Sequence, residues 1–196
     1  MSAKRLLLAS SSPYRKALLE RLGIPFTCHS PDVDETPLPN EQPPALAVRL
    51  AIAKAQAIAT NMPGALVIGS DQVATVDGSP IGKAGSFERA QRQLEQLSGK
   101  TVHFHTAVCL TDGNHTLTDN VLTQCRFRTL GQAEIGRYLE RERPFDTAGS
   151  AKAESLGIAL MDSIRSDDPT AIVGLPLITL SNMLRQLGLD PILDGA

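Results

Sequence analysis

An aliphatic run that stops abruptly in three serines and a proline restricts what this chain can fold into. Residues 5–9 read Arg-Leu-Leu-Leu-Ala and are followed by Ser10-Ser11-Ser12-Pro13. A short apolar run bounded by a polar turn is a strand covered on both faces, since such a strand needs no alternation. Ser12 supplies an N-cap hydroxyl, and Pro13 fits the first helical turn, where its missing N–H has no partner to lose. The predicted helix turns Ala17, Leu18, Leu19 and Leu22 inward and ends at Gly23, with Pro25 just beyond. A second buried run, Leu66–Ser70, continues through Asp71 toward Val73 and Val76.

Further elements fit between and after these runs. Phe26–His29 is a candidate short strand. Residues 30–44 hold five prolines and four acids, which makes them a loop. A helix follows from about Pro44 to Asn61, with Leu46, Leu50, Ala53 and Ala57 on its apolar face, closed by Met62-Pro63-Gly64. Asp77-Gly78 is a hairpin turn leading to Pro80-Ile81. Ser86 caps a helix running to Leu97, and His103–Leu110 pairs antiparallel with about Thr116–Phe127 around Asp112-Gly113-Asn114. Ile135–Arg143 is helical up to Pro144; strands are expected at Ile158–Met161 and about Ala171–Val173, and a last helix from about Pro176 to Leu187. The expected fold is mixed α/β in a single domain over 1–196: one curved sheet, helices on both sides, and two lobes around a groove.

Composition narrows the function. Apolar residues make up 42% of the 196 positions, aromatics only 4%, and Trp is absent, so aliphatic side chains must build the core. The formal net charge of −2 gives no global positive field to hold nucleic acid or an anionic membrane. No stretch approaches the ~20 apolar residues of a membrane span, and the first residues lack a signal-peptide core. Cys28, Cys109 and Cys125 are odd in number and widely spaced, which fits a reducing cytoplasm better than a disulfide framework.

Three segments carry chemistry. The turn from Ser10 to Arg15 opens a helix, where free backbone amides, hydroxyls and the helix dipole suit a phosphate. Arg15 opposes that dipole, and a bound phosphate would turn the conflict into an attraction. Asp71 is set in an aliphatic strand, where its charge needs a cation or a metal, or amides at a strand end. Gly69 leaves room for something to approach the backbone closely. Glu35, in Val33-Asp34-Glu35-Thr36, offers a second carboxylate of the kind a divalent-metal phosphate site uses. Lys54 in a mostly apolar helix and Lys83 after the hairpin each read singly as surface lysines. The four histidines, His29, His103, His105 and His115, have no metal-ligand spacing. Neither GxxxxGK[ST] nor GxGxxG occurs.

Taken together, LASSSPYR, VDE, RLAIAKA, IGSDQV, GK, AGS and VGLPL occur in that order along nearly the whole chain. This order resembles the Maf family of nucleotide pyrophosphatases, whose architecture is related to that of inosine-triphosphate pyrophosphatases. The resemblance implies a nucleotide cleft between two lobes, with Asp71 as proton acceptor. It places Ser10, Arg15, Lys54 and Lys83 at the phosphates, and Glu35 with Asp71 at a divalent metal, Mg²⁺ or Mn²⁺. The reaction implied is attack of water on the α phosphorus of a nucleoside triphosphate. Tyr14, Gln72 and Glu154 stand where family members differ by substrate. Their combination resembles the branch acting on 7-methyl-GTP, whereas the dTTP and UTP branch typically reads SPRR and GADT. Lys83 is followed by Ala84 where Pro is common, and Glu154 by Ser155 where Gly is expected. A dTTP or UTP pyrophosphatase, or a non-catalytic nucleotide-binding regulator of cell division, are the competing readings, and a homodimer is implied by the family alone.

Overall fold

The structure, a computed structural model, describes residues 5–195. Its sheet has seven strands: β1 (Leu6–Ala9), β2 (Phe26–His29), β3 (Leu66–Val76), β4 (Ser79–Ile81), β5 (Thr101–Thr111), β6 (Thr116–Phe127) and β7 (Met161–Arg165). They lie in the order β2-β1-β3-β5-β6-β7, with β4 paired to β3. Five helices accompany them: α1 (Pro13–Glu20), α2 (Pro43–Ala59), α3 (Phe87–Leu97), α4 (Gln132–Glu142) and α5 (Leu177–Gln186). Two 3-10 helices span Leu156–Leu160 and Ala171–Val173. The chain divides into two compact units, the first of Met1–Gln72, Thr106–Val121 and Asp168–Ala196, the second of Val73–His105 and Leu122–Asp167.

In the first unit β1 lies between two parallel partners, with Leu8 opposite Cys28 of β2 and Ile68 of β3. The chain leaves β1 through α1 to reach β2 on one side, then returns through α2 to β3 on the other. Strand order therefore reverses at β1, the kind of switch point at which open α/β sheets bind their ligands. The β1–β3 pairing ends at Ala9 and Gly69, and the serine turn and Ser70-Asp71 follow directly on the two paired stretches. One sheet face buries Leu6, Leu8, Leu66, Ile68, Val108 and Leu110 against Leu18 and Leu19 of α1 and Leu180, Met183 and Leu184 of α5. Each such side chain contributes on the order of 1.5–3 kcal/mol on burial, which holds the turn in place. Gly69 lies on the opposite face, against α2. Helices thus cover both sides of the first unit's strands, as expected.

The second unit holds the β3–β4 hairpin, with Ala74 opposite Ile81. Its turn is Asp77-Gly78, both at positive φ (50° and 77°), the conformation a two-residue hairpin loop requires. Ser86 caps α3, its hydroxyl accepting from the Arg89 amide at 3.3 Å. Leu94 and Leu97 of α3 and Ile135 and Leu139 of α4 are fully buried, and β7 pairs antiparallel with β6.

The structure differs from the sequence reading in several places. Ile158–Met161 is not a strand: residues 156–160 form a 3-10 helix, and β7 begins at Met161. Gly157 permits the tight turn, since a Cβ there would lie 2.5 Å from Lys152 backbone atoms. Ala171–Val173 is likewise 3-10 and not strand, ended by Gly174 at φ 116°. Ala17 is exposed, leaving Leu18 and Leu19 as the buried residues of α1. On α2 the buried stripe is Leu46, Ala47, Leu50, Ala51, Lys54 and Ala55; Ala53 and Ala57 flank it.

Candidate active site

The serine turn builds a small polar cradle at the end of β1. Ser12 is the N-cap of α1, its hydroxyl accepting from the Arg15 amide at 3.4 Å. The Ser10 hydroxyl accepts from the Ser12 amide at 3.1 Å and from Arg15 Nη1 at 3.5 Å. Arg15 is held from its other side, where Nε donates to the Gly174 carbonyl at 2.9 Å. Burial pushes the Arg15 pKa below its ordinary value, while Asp71 and Glu35 push it back up. Both carboxylates are thus within electrostatic reach of the guanidinium.

Lys54 owes its position to the packing of α2 on β3. It lies one turn beyond Leu50 and Ala51 on the buried stripe, so its stem is enclosed and only 9% of its side chain is exposed. Its ammonium sits 2.6 Å from Asp71 Oδ1 and 2.6 Å from Glu35 Oε1. An ammonium taken out of water needs such partners. The Asp71 side chain is 12% exposed, whereas that of Glu35 is 59% exposed and faces solvent from its loop. The surface-lysine reading fails for Lys54, because α2 turns a different face to the sheet than its alanines suggest.

The proline-rich loop that carries Glu35 is tied to α2 by Arg49. Its Nε and Nη2 meet the two Glu41 oxygens at 2.7 and 2.9 Å, and Nη2 also reaches the Thr36 carbonyl at 3.0 Å. Glu41 in turn accepts from the Leu38 amide at 3.0 Å. The Arg49 contact and the amide hold the Glu41 carboxyl down at about 2. Sequence reading missed this clamp. Its signal was present in a charged pair eight residues apart spanning the loop's return to the helix.

Gln72 and Tyr14 also belong to the first unit. Tyr14 is partly buried in the first turn of α1. Gln72 directs its amide nitrogen to Thr106 Oγ1 at 2.9 Å and to the carbonyls of Ala171 and Ile172 at 3.0 and 3.2 Å. Two other polar groups there were also missed. Ser70, fully buried, has its hydroxyl 2.9 Å from the Gly174 carbonyl and 2.8 Å from that of Ala107. Asp168, 1% exposed, accepts from the Ile178 amide of α5 at 2.7 Å and from Thr170 Oγ1 at 2.7 Å. It joins the 3-10 turn to a helix start ten residues away, beyond the reach of local capping rules.

Lys83 and Glu154 lie in the second unit. The Lys83 backbone forms an antiparallel bridge with Ala148, so the GK and AGS segments are neighbours there. Glu154 sits in a turn at the surface. Desolvation raises its pKa above the usual glutamate value, Glu142 and Asp146 add to the rise, and Lys152 opposes it. Burial pushes the thiols of Cys109 and Cys125 up to about 12, so neither offers a thiolate nucleophile near neutrality.

The pattern described as Maf-like protein matches residues 5–187. The chain belongs to the Maf family. Among curated relatives, a Bordetella pertussis protein named 7-methyl-GTP pyrophosphatase is 66% identical over 188 residues, covering 96% of this chain and 94% of its own. A Burkholderia orbicola protein of the same name is 59% identical over 186 residues, covering 92% of this chain and 89% of its own. Among solved structures, the Staphylococcus aureus Ham1 protein overlays 64% of this chain and 73% of its own, with a TM-score of 0.48 and 17% identity.

Proposed function

We propose that this Maf protein hydrolyses 7-methyl-GTP to 7-methyl-GMP and pyrophosphate. The observation that carries the chemistry is the Lys54 ammonium bridging Asp71 and Glu35, with Arg15 close enough to feel both carboxylates. The choice of nucleotide is supported by the names of the relatives and by Tyr14, Gln72 and Glu154 at the substrate-dependent positions. The family pattern runs through residues of both units, which supports reading the chain as one catalytic domain. Among the described residues no helix is long and apolar enough to cross a membrane. With three free cysteines, this supports a place in the cytoplasm.

In this reading, Asp71 accepts the proton of the water that attacks the α phosphorus. Ser10 and the α1 amides hold phosphate oxygens, and Arg15 and Lys54 offset their charge. The GK motif that carries Lys83 supports a place for it at the phosphates as well. Tyr14 offers an aromatic face to the cationic 7-methylguanine ring. Glu154 accepts from the N1 and N2 donors of the base.

Two carboxylates against two cations leave the first unit's cluster without net charge, although the substrate is a polyanion. A divalent cation, Mg²⁺ or Mn²⁺, fits that deficit. Glu35 and Asp71 would hold it, because both carboxylates lie beside the Lys54 ammonium and hard cations accept one or two carboxylates with phosphates and water. When bound it would stabilise charge on the phosphate oxygens. Among the described residues no group of three or more His, Cys, Asp or Glu could hold a metal, so substrate oxygens and water would complete the shell. Turnover should therefore vanish in excess EDTA and return with Mg²⁺ or Mn²⁺, while the Tm of the free protein barely moves. Full turnover in EDTA would remove the metal from this reading.

The function is tested by measuring pyrophosphate release from 7-methyl-GTP, GTP, UTP and dTTP. 7-Methyl-GTP should have the highest kcat/KM; preference for UTP or dTTP would overturn the proposal. Glu154→Gln should lower kcat/KM for 7-methyl-GTP by about 10-fold or more, the scale of a lost charged hydrogen bond. UTP should suffer much less, and an equal loss on both would mean that Glu154 does not read the base.

A further inference from the structure

Two arginines of the second unit share one face of its sheet with no acid to balance them. β6 and β7 pair antiparallel, with Gln124 opposite Arg165 and Arg126 opposite Ser163. Residues two apart on a strand share a face, so these four form a square with the arginines on its diagonal. Diagonal neighbours lie about 7–8 Å apart, within reach of each other for side chains this long. Asp162 is the one acid of β7, and it stays out of the square as the extra residue of a bulge, since Phe127 pairs with Met161.

The square borders a hollow of about 220 Å³, lined by Thr101 of β5 together with Gln124, Arg126, Ser163 and Arg165. Every lining side chain carries a hydrogen-bond donor, and none is a carboxylate. Cations close by in the sequence are neutralised: Lys100 by Asp77 at 2.7 Å, and Arg128 by Glu134 at 3.0 Å. Among the described residues, the Arg126 and Arg165 side chains have no hydrogen bond or ion pair. Like charges so placed repel, and an anion between them turns the repulsion into attraction. Sites that enclose drug-sized molecules take about 300–1,000 Å³. The hollow is smaller, which suits a small anion and not a nucleotide.

We propose that the second unit binds a small phosphate-class oxyanion, inorganic phosphate or pyrophosphate, between Arg126 and Arg165. A tetrahedral oxyanion accepts from both guanidinium forks at once, whereas a carboxylate has two oxygens in one plane and satisfies one fork. The Thr101 and Ser163 hydroxyls and the Gln124 amide supply further donors. Lys83 and Glu154, the second-unit residues of the function proposed above, do not line the hollow, so the proposal does not rest on that function.

The test follows the backbone amide resonances of Gln124, Arg126, Ser163 and Arg165 in the free protein. Inorganic phosphate, pyrophosphate and acetate are titrated separately, against NaCl at equal ionic strength. Phosphate should shift these resonances to saturation with a Kd of about 1 mM, the scale of two charge-assisted hydrogen bonds. Pyrophosphate binding more tightly would make the product of the proposed reaction the occupant; equal or weaker binding would make it free phosphate, and either supports the site. Acetate binding as tightly as both, or shifts that NaCl reproduces, would overturn the proposal. The shifts should persist in Arg15→Ala, and their loss there would show that they report the first unit's phosphate seat instead. Arg126→Gln and Arg165→Gln should each weaken phosphate by about 10-fold; unchanged affinity in either would also overturn the proposal. Both arginines are exposed, so these variants should fold like the wild type. The double variant should keep kcat/KM for 7-methyl-GTP within about two-fold. A larger loss would put the arginines in the nucleotide site and overturn a separate one.

Discussion

Asp71→Asn is expected to lower kcat by about 10²- to 10⁴-fold while the protein remains folded. The two side chains have nearly the same shape, but an amide cannot accept the proton of the attacking water. The fold should survive because the substitution does not strand a buried cation: Lys54 keeps Glu35 at 2.6 Å. The amide oxygen can also still accept from the ammonium that lies 2.6 Å from Asp71 Oδ1. Loss of the whole pair by Lys54→Met would be a cruder experiment, since it leaves two carboxylates facing each other. The measurement is pyrophosphate release under saturating 7-methyl-GTP, with thermal unfolding of the same preparation. A folded variant retaining more than about a tenth of wild-type kcat would exclude Asp71 as the proton acceptor.

The parts of this site that could be read from the sequence are those fixed by near neighbours. Ser12 and Pro13 sit at the start of α1 because a hydroxyl and a preset φ act within one turn. Phe26–His29 is a strand with the expected bounds, and Asp77-Gly78 makes the hairpin turn because few residues adopt positive φ in succession. What escaped depends on distant partners. Ala-Ile-Val at 171–173 has strand composition, yet its carbonyls are taken by Gln72, 99 and 100 residues earlier, and the chain coils into a 3-10 turn to present them. Lys54 is buried because α2 meets β3 with the stripe that contains it. The spacing of alanines alone cannot choose between faces that are nearly equal in hydrophobicity. Lys83 and Glu154 came only from the resemblance, since nothing in their own segments distinguishes them from surface charges.

Gly69→Ala is expected to be among the most damaging single methyl additions in the chain. A Cβ at Gly69 would lie 2.1 Å from the Ala51 carbonyl oxygen and 2.7 Å from the Ala55 amide nitrogen, both backbone atoms of α2. Neither can rotate away, so the helix must move off the strand. Overpacking typically costs ~1–3 kcal/mol, occasionally more, and a contact this short belongs at or above the upper end. In a chain of this size that corresponds to a fall in Tm of roughly 6–12 °C. The effect on turnover should be larger. Lys54 lies between the two clashing residues, and its 2.6 Å contact with Asp71 depends on the same approach of helix to strand. A displacement of about 1 Å at such a site can cost ~10²-fold in rate. Gly136→Ala is the control, because a Cβ there meets nothing within 4 Å on helix α4. That variant should gain about 0.4–1 kcal/mol from reduced freedom of the unfolded chain and keep full activity. A Gly69→Ala protein with wild-type Tm and wild-type kcat would show that α2 does not approach β3 this closely, and would undo the placement of Lys54 against Asp71.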